Sequence, residues 1–464
     1  MLPLTIQQIA NAVGGKLVGG DFDTSRSVTN VKRDNREVVD GSLFLCFVGE
    51  HVDGHDYAAA AFQSGAVCAI TERELEAAAG AYIIVESTAA ALQQLGAFYR
   101  GLFDIPIIGV TGSVGKTTTK EMLAAVLSER FNVLKTDENL NNEIGVPLTL
   151  LQIGAQHEAA VIEMGISDFG EMKRLGEMVR PDICVMTSIG HSHLEQLGDL
   201  DGVLRAKSEV FAEMPTGGAA VVCGDDERLF ALNPGMEKLT FGLNERNDYR
   251  AENIQTDSTN GVAFDILGGK LGIHAEIPAF GSQLALAALA AAAVGERLGM
   301  SGGEIATGLG KYKPVGSRSG VVKTGFITII DDCYNANPHS MAAALRSISE
   351  LSGRRVALLG DMKELGVKSK ELHREIGLLA GELGIDCLIC CGEHAEFIFK
   401  GYIASRFDGE SYHFPFKDSL LERLPGIIKK GDTVLVKASH SMKFEEFLPE
   451  LEKLCSKAKA FEQE

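Results

Sequence analysis

An α/β protein built from three domains is the expectation for this chain, and three features lead to it. Short apolar runs alternate with helix-length segments along most of the sequence. A strand, a glycine-rich loop and a helix succeed one another over residues 107–127. The 464 residues are enough for three domains of about 150 residues each.

Composition narrows the function. Hydrophobic residues make up 45% of the chain, enough for ordinary cores. Lys and Arg number 44 against 63 Asp and Glu, a net charge of −19, which argues against a nucleic acid held through its phosphates. A small anionic substrate is compatible, because clustered cations and backbone N–H groups can govern a single cleft. The opening Met1-Leu2-Pro3-Leu4 has no basic region leading into a long apolar run, so no secretory signal is expected and the location is cytoplasmic. The Ala- and Leu-rich residues 284–294 fall short of the roughly 20 that a bilayer needs, so they read as a buried helix with no membrane insertion. Among the nine cysteines, Cys387 and Cys390 form a CxxC. That pair lies in an apolar run, with no second pair at zinc-like spacing, and reads as a buried strand.

Taken in order, residues 1–100 carry apolar runs at 42–48 and 66–70 between Gly, Asp and Ala-rich segments, a small α/β unit. Residues 101–312 open with a strand at 105–110 and a helix with apolar Met122, Leu123, Val126 and Leu127. Strands follow at 159–162, 183–187 and 219–223, in a sheet expected to be parallel, and a helix runs to about Leu298. Residues 313–464 begin after the Pro and Gly hinge at 311–316. Strands at 326–330, 356–359, 387–390 and 433–436 then alternate with helices, the pattern of an open, Rossmann-like parallel sheet.

The loop Thr111-Gly112-Ser113-Val114-Gly115-Lys116-Thr117, with Thr118 opening the helix, carries the chemistry. Its N–H groups can cradle phosphate oxygens, Lys116 would meet the β- and γ-phosphates, and the Thr117 hydroxyl would bind Mg²⁺. The spacing departs from strict GxxxxGK[ST], since the first glycine position falls on Val110. Bound ATP with its Mg²⁺ is expected. Glu163, ending the apolar strand at 159–162, is the candidate carboxylate ligand. His193, within His191-Ser192-His193, follows the next strand.

Lys207 draws notice by its neighbours. In the expected helix 201–214 it shares one stripe with Val203, Val210, Phe211 and Met214, away from Arg205, Glu209 and Glu213. Burial lowers a lysine's pKa. A neutral amine can take up CO2 as a carbamate, an anionic oxygen ligand suited to magnesium.

Together with the phosphate loop, the stretches Asn139-Leu140-Asn141-Asn142, Glu163-Met164-Gly165, His193-Leu194-Glu195 and Asp331-Asp332-Cys333-Tyr334-Asn335-Ala336-Asn337-Pro338 stand in one order. With them the chain resembles the Mur ligases. Asp34-Asn35-Arg36, Gly49, Asp53-Gly54-His55-Asp56 and Gly360-Asp361-Met362-Lys363-Glu364-Leu365-Gly366 extend the likeness over nearly the whole length. The resemblance implies an N-terminal domain for the UDP end of the substrate, a central ATPase and a C-terminal ligase domain. It implies an enzyme that adds D-alanyl-D-alanine to UDP-N-acetylmuramoyl-tripeptide through an acyl phosphate, and a monomer is expected. By the same likeness Thr117 and Glu163 hold one magnesium, and His193 with a carbamylated Lys207 holds a second. Asn141, Asn142, Arg318, Asp332, Asn335 and Asn337 approach the nucleotide, and Asn35, Arg36, Gly49, Asp53 and His55 meet the UDP-sugar. Lys116, Lys207 and His193 are the expected catalytic residues. A sibling that adds another amino acid, a folylpolyglutamate-like synthetase and a nucleotide switch are the rivals, separated by the acceptor.

The chain departs from the family at three places. Gly281-Ser282-Gln283-Leu284-Ala285-Leu286 replaces a His-Asn-x-x-Asn element that holds adenine, Ser188 replaces an Asn, and His440 stands where Arg is commoner.

Overall fold

The computed structural model describes residues 1–18, 23–75, 80–257, 261–318 and 320–461. Three sheets of five, nine and six strands follow one another along the chain, beside a short two-stranded pair near the N-terminus. The five-stranded sheet runs in the order Lys16–Val18, Ala81–Ile84, Ala66–Thr71, Ser42–Leu45, Asn30–Lys32. Helix Thr88–Arg100 leaves it, capped by the Ser87 hydroxyl on Ala90 N–H at 3.3 Å.

The nine-stranded sheet places Ile107–Thr111 between Ala159–Glu163 and Ile183–Met186, all three fully buried and parallel. Strands covered on both faces read as unbroken apolar runs, which is why all three are visible in the sequence. Their register sets Glu163 beside Val110 and Met186 beside Thr111, so three carboxyl ends meet at one edge. Helix Lys116–Leu127 starts at that edge, after Gly115 in a left-handed turn at φ 84°. The Ala-rich helix Leu284–Arg297 packs against it, its small side chains letting the two approach closely.

The central sheet is not wholly parallel. Tyr249–Asp257, Gly261–Gly268 and Leu271–Ile277 form an antiparallel meander at one edge. Their burial alternates residue by residue, as in Gly261–Gly268, so they carry no continuous apolar run. The helix expected over 201–214 is also shorter: Leu200–Ser208 is α-helical, and Glu209–Glu213 tightens into a 3₁₀ turn.

In the six-stranded sheet the order is Gly320–Lys323, Thr328–Asp331, Thr433–Lys437, Arg355–Gly360, Cys387–Cys391, Glu410–Phe414, with the first strand antiparallel. Asp331 pairs with Val436 and Lys437 with Leu359, which brings the ends of three parallel strands together. Cys387 and Cys390 are buried in the core. No helix among the described residues is long and apolar enough to cross a membrane.

Candidate active site

A cleft of about 970 Å³ lies between the carboxyl edges of the two larger sheets. Ser113 to Thr119, Asn141, Asn142, Glu163 and His193 line it from the central sheet, and Arg318, Asp332, Asn335, Asn337 and Lys437 from the other side of the hinge. Residues 200 positions apart thus share one cavity.

The phosphate loop is shaped by its neighbours. Ser113 N–H donates to Ser188 O at 3.0 Å, the Ser188 hydroxyl accepts from Val114 N–H at 3.0 Å, and the Thr187 hydroxyl donates to Val114 O at 2.5 Å. Gly112 has φ 142°, and a Cβ there would lie 2.0 Å from Thr187 Oγ1. Only glycine meets both demands. Lys116 Nζ donates to Gly112 O at 2.8 Å, arched back over the loop. Desolvation lowers its pKa, Glu163 raises it and Arg318 lowers it further.

Glu163 is buried to 1% exposure. Its backbone N–H donates to Thr136 Oγ1, and its Oε1 accepts from Asn141 Nδ2 at 2.8 Å. Its Oε2 is buried and has no hydrogen-bond partner. The nearest cation is Lys120, a fully buried lysine 3.9 Å from that oxygen, which donates to Thr136 O at 2.7 Å. An orphaned carboxylate oxygen on the wall of a cleft, with the Thr117 hydroxyl lining the same space, suits a hard divalent ion. The described residues contain no group of three His, Cys, Asp or Glu that could cage a metal unaided. An ion here would complete its shell with phosphate oxygens and water, the habit of magnesium.

Lys207 is 1% exposed and makes no hydrogen bond or ion pair among the described residues. Burial holds its pKa well below 10.5, and the charge of Lys116 pushes the same way. His193 precedes helix Leu194–Leu197 in a left-handed backbone with no capping bond from its side chain, and its Nδ1 lies 3.0 Å from Glu364 Oε2, in the loop after strand Arg355–Gly360. Its pKa is lowered by burial and raised by Glu364, and both Lys207 and Lys116 lower it. Lys116 and His193 line the cleft, Lys207 lies buried outside its lining, and the three act on one another electrostatically.

Other residues expected at the site have structural tasks as well. Asn142 caps helix Gly145–Leu150 through Gly145 N–H at 2.8 Å. Asn337 caps Pro338–Ser349 in a reciprocal box with Ser340. Lys437, which sequence reading passed over, donates to Asp332 Oδ2 at 2.6 Å and to Asn335 O at 3.0 Å, and so ties the turn together. The Arg318 guanidinium lies 3.5 Å from the ring centre of Tyr334. Thr111 forms the floor of the loop, and Thr118 faces Tyr312.

The five residues expected to meet the UDP-sugar stand apart, in the N-terminal domain, and none lines the cleft. On the turn Asn35–Glu37, Asn35 is half-buried and Arg36 exposed, and Arg36 forks onto Asp34 and holds its carboxyl down at about 2. Gly49 closes a turn on Val52 O at 2.8 Å. Asp53 takes His55 Nδ1 at 2.5 Å and Arg73, while His55 Nε2 accepts from Glu72 N–H at 2.9 Å. Both nitrogens of buried His55 are thus occupied within the domain.

Comparison with known proteins bears directly on this geometry. Family models described as Mur ligase family, catalytic domain; Mur ligase middle domain; and Mur ligase, glutamate ligase domain match residues 27–100, 110–295 and 317–440. The chain belongs to the Mur ligase family. This Mur ligase is 35% identical over 456 residues to the UDP-N-acetylmuramoyl-tripeptide–D-alanyl-D-alanine ligase of Bacillus subtilis, covering 97% of this chain and 99% of that one. It is similar in structure to a MurF from Acinetobacter baumannii, with TM-score 0.90 and 31% identity over 97% of this chain and 99% of that one. A MurF ligase from Thermotoga maritima in complex with ADP gives TM-score 0.83 and 28% identity, over 93% and 99%. A Mur ligase core with this phosphate loop binds ATP.

Proposed function

We propose that this Mur ligase joins D-alanyl-D-alanine to UDP-N-acetylmuramoyl-tripeptide with conversion of ATP to ADP and phosphate, giving the pentapeptide precursor of peptidoglycan. One observation carries the reading: the likeness to the Bacillus subtilis ligase covers 97% of this chain and so runs through all three sheets. In outline, the terminal carboxylate of the tripeptide receives the γ-phosphoryl group. The dipeptide amine attacks the acyl phosphate, and the tetrahedral intermediate expels phosphate. A carboxylate is a poor acyl donor, and phosphorylation supplies its leaving group.

In this reading the N-terminal domain, 1–100, holds the UDP-sugar through Asn35 and Arg36, with Gly49, Asp53 and His55 shaping the adjoining turns. Residues 101–312 hold ATP, and 313–464 bring the dipeptide. Lys116 neutralises charge at the transferred phosphoryl group. Thr117 and Glu163 hold one Mg²⁺, supported by the orphaned Glu163 Oε2. His193 and a carbamylated Lys207 hold a second, supported by the partnerless, desolvated amine of Lys207. Carbamylation adds the amine nitrogen to CO2 and releases one proton. Bound magnesium would draw negative charge from the phosphoryl oxygens during transfer. The adenine fits the apolar end of the cleft, between Phe241, Leu286, Ala287 and Ala343, with Gln283 at its rim. A cytoplasmic monomer completes the reading.

The test is phosphate release with ATP and UDP-N-acetylmuramoyl-tripeptide, with and without D-alanyl-D-alanine. Release that depends on the dipeptide, with a pentapeptide product by mass, is expected. Release driven instead by glutamate, diaminopimelate or a folate would assign the chain to a sibling activity.

A further inference from the structure

Two residues of this chain face each other from unfavourable backbone conformations. His193 has φ 53° and Glu364 φ 62°, both in the left-handed region that side chains other than glycine seldom adopt. They lie in loops that follow strands of different sheets, yet Glu364 Oε2 sits 3.0 Å from His193 Nδ1. Strain of this kind persists only where the surroundings impose it.

The surroundings of Glu364 do so. Asp361 accepts from Ala395 N–H through Oδ1 at 2.8 Å, and from Ser439 N–H through its carbonyl at 3.1 Å. Met362 N–H donates to His373 Nε2 and Lys363 N–H to Ser439 Oγ, both at 2.9 Å. On the other side Leu365 is buried, and Gly366, at φ 55°, lies near Glu195, two residues past His193: a Cβ there would come within 3.5 Å of Glu195 Cγ. The segment is a pinned platform at the end of strand Arg355–Gly360, and it holds one carboxylate out toward the central sheet.

We propose that Glu364 is a positioning residue for His193, fixing the imidazole through Nδ1 so that Nε2 remains as its ligand atom. The contact is an ion-pair approach, Glu364 Oε2 being the carboxylate oxygen paired with that ring, and no hydrogen bond to either ring nitrogen is formed among the described residues. A cation on Nε2 would leave Nδ1–H to turn onto the carboxylate. A carboxylate that takes one ring N–H fixes tautomer and orientation and makes the other nitrogen a better donor to a metal. Because Glu364 belongs to the C-terminal domain, the second cation site is complete only when that domain is seated. The inference rests on the reading that His193 holds a divalent cation.

The experiment counts bound Mn²⁺ by electron paramagnetic resonance, on the full chain with a non-hydrolysable ATP analogue and UDP-N-acetylmuramoyl-tripeptide. Wild type should bind two ions, and His193→Ala one. Glu364→Gln and Glu364→Ala should weaken the second ion by about 10- to 100-fold and leave the first unchanged. Glu364→Asp should restore part of the loss, and excess Mn²⁺ should restore the ligation rate of Glu364→Gln. Circular dichroism of each variant checks the fold. Equal Mn²⁺ stoichiometry in wild type and His193→Ala would overturn the metal reading and this inference with it. Two ions in wild type, with undiminished affinity in Glu364→Gln, would overturn this inference alone.

Discussion

Asn141 donates through Nδ2 to one oxygen of Glu163 at 2.8 Å and leaves the other oxygen of the same buried carboxylate unsatisfied. The amide turns the carboxylate, and the open oxygen is what a cation would meet. Glu163→Gln should therefore lower kcat by about 100-fold or more and raise the Mg²⁺ concentration for half-maximal rate. Asn141→Ala should cost about 10-fold in Mg²⁺ affinity, as loss of an orienting partner does. Metal titrations of phosphate release separate the two, and an unaltered Mg²⁺ requirement in both would remove Glu163 from the metal site.

Lys116→Ala should reduce ligation by about 1,000-fold or more, because the ammonium acts where charge moves and supports no core. Its melting temperature should hold or rise slightly, since a desolvated cation has been removed. Turnover near that of wild type would dismiss the phosphate-loop assignment.

Lys207→Ala should lose nearly all ligation, with partial return in acetate, a short carboxylate able to stand in for a carbamate. Lys207→Met keeps the volume and removes the buried amine, so its urea midpoint at neutral pH should exceed that of wild type. Full activity of Lys207→Ala in bicarbonate-free buffer would end the carbamate reading.

His373 gives a dependence on pH. It is fully buried, donates from Nδ1 to Ser369 O at 2.7 Å and accepts Met362 N–H on Nε2, so protonation breaks the second bond. Burial holds its pKa below 6.5. Between that lowered value and 6.5 the unfolded chain carries a proton that the folded chain lacks. The stabilisation is present in full above pH 6.5 and is lost as the pH falls through the folded value. Denaturant midpoints should decline on acidification in wild type and decline less in His373→Gln. Parallel curves would assign the acid sensitivity to other groups.

Much of the site was legible because its residues sit at the ends of buried parallel strands, where an unbroken apolar run stops at a polar residue. Glu163 shows that signal, and so does Lys437, which closes the run Thr433–Lys437 but was passed over. Lys207 was legible from its apolar neighbours at helical spacing. Lys120 has the same neighbours, with Leu123, Ala124 and Leu127 three, four and seven residues on, and the same reading would have found it. Glu364 stands in a stretch the family likeness covers, but nothing local points to its partner, because the contact with His193 spans 171 positions. The edge meander 249–277 was missed for a different reason. Half-buried strands alternate, and a search for continuous apolar runs passes them by.

The Arg318 guanidinium rests on the Tyr334 ring, and Tyr334 N–H is bonded to Ser317 O at 3.0 Å. The residue that follows the hinge is thus clasped to the unit the hinge carries. With Arg318 at the nucleotide, as proposed above, its positive charge would move with that unit. The connecting segment would then report on the cleft as well as join its walls: gain or loss of a phosphoryl group would alter the pull on one arm of the molecule, and the small chemistry of a single bond would be felt at a distance from it.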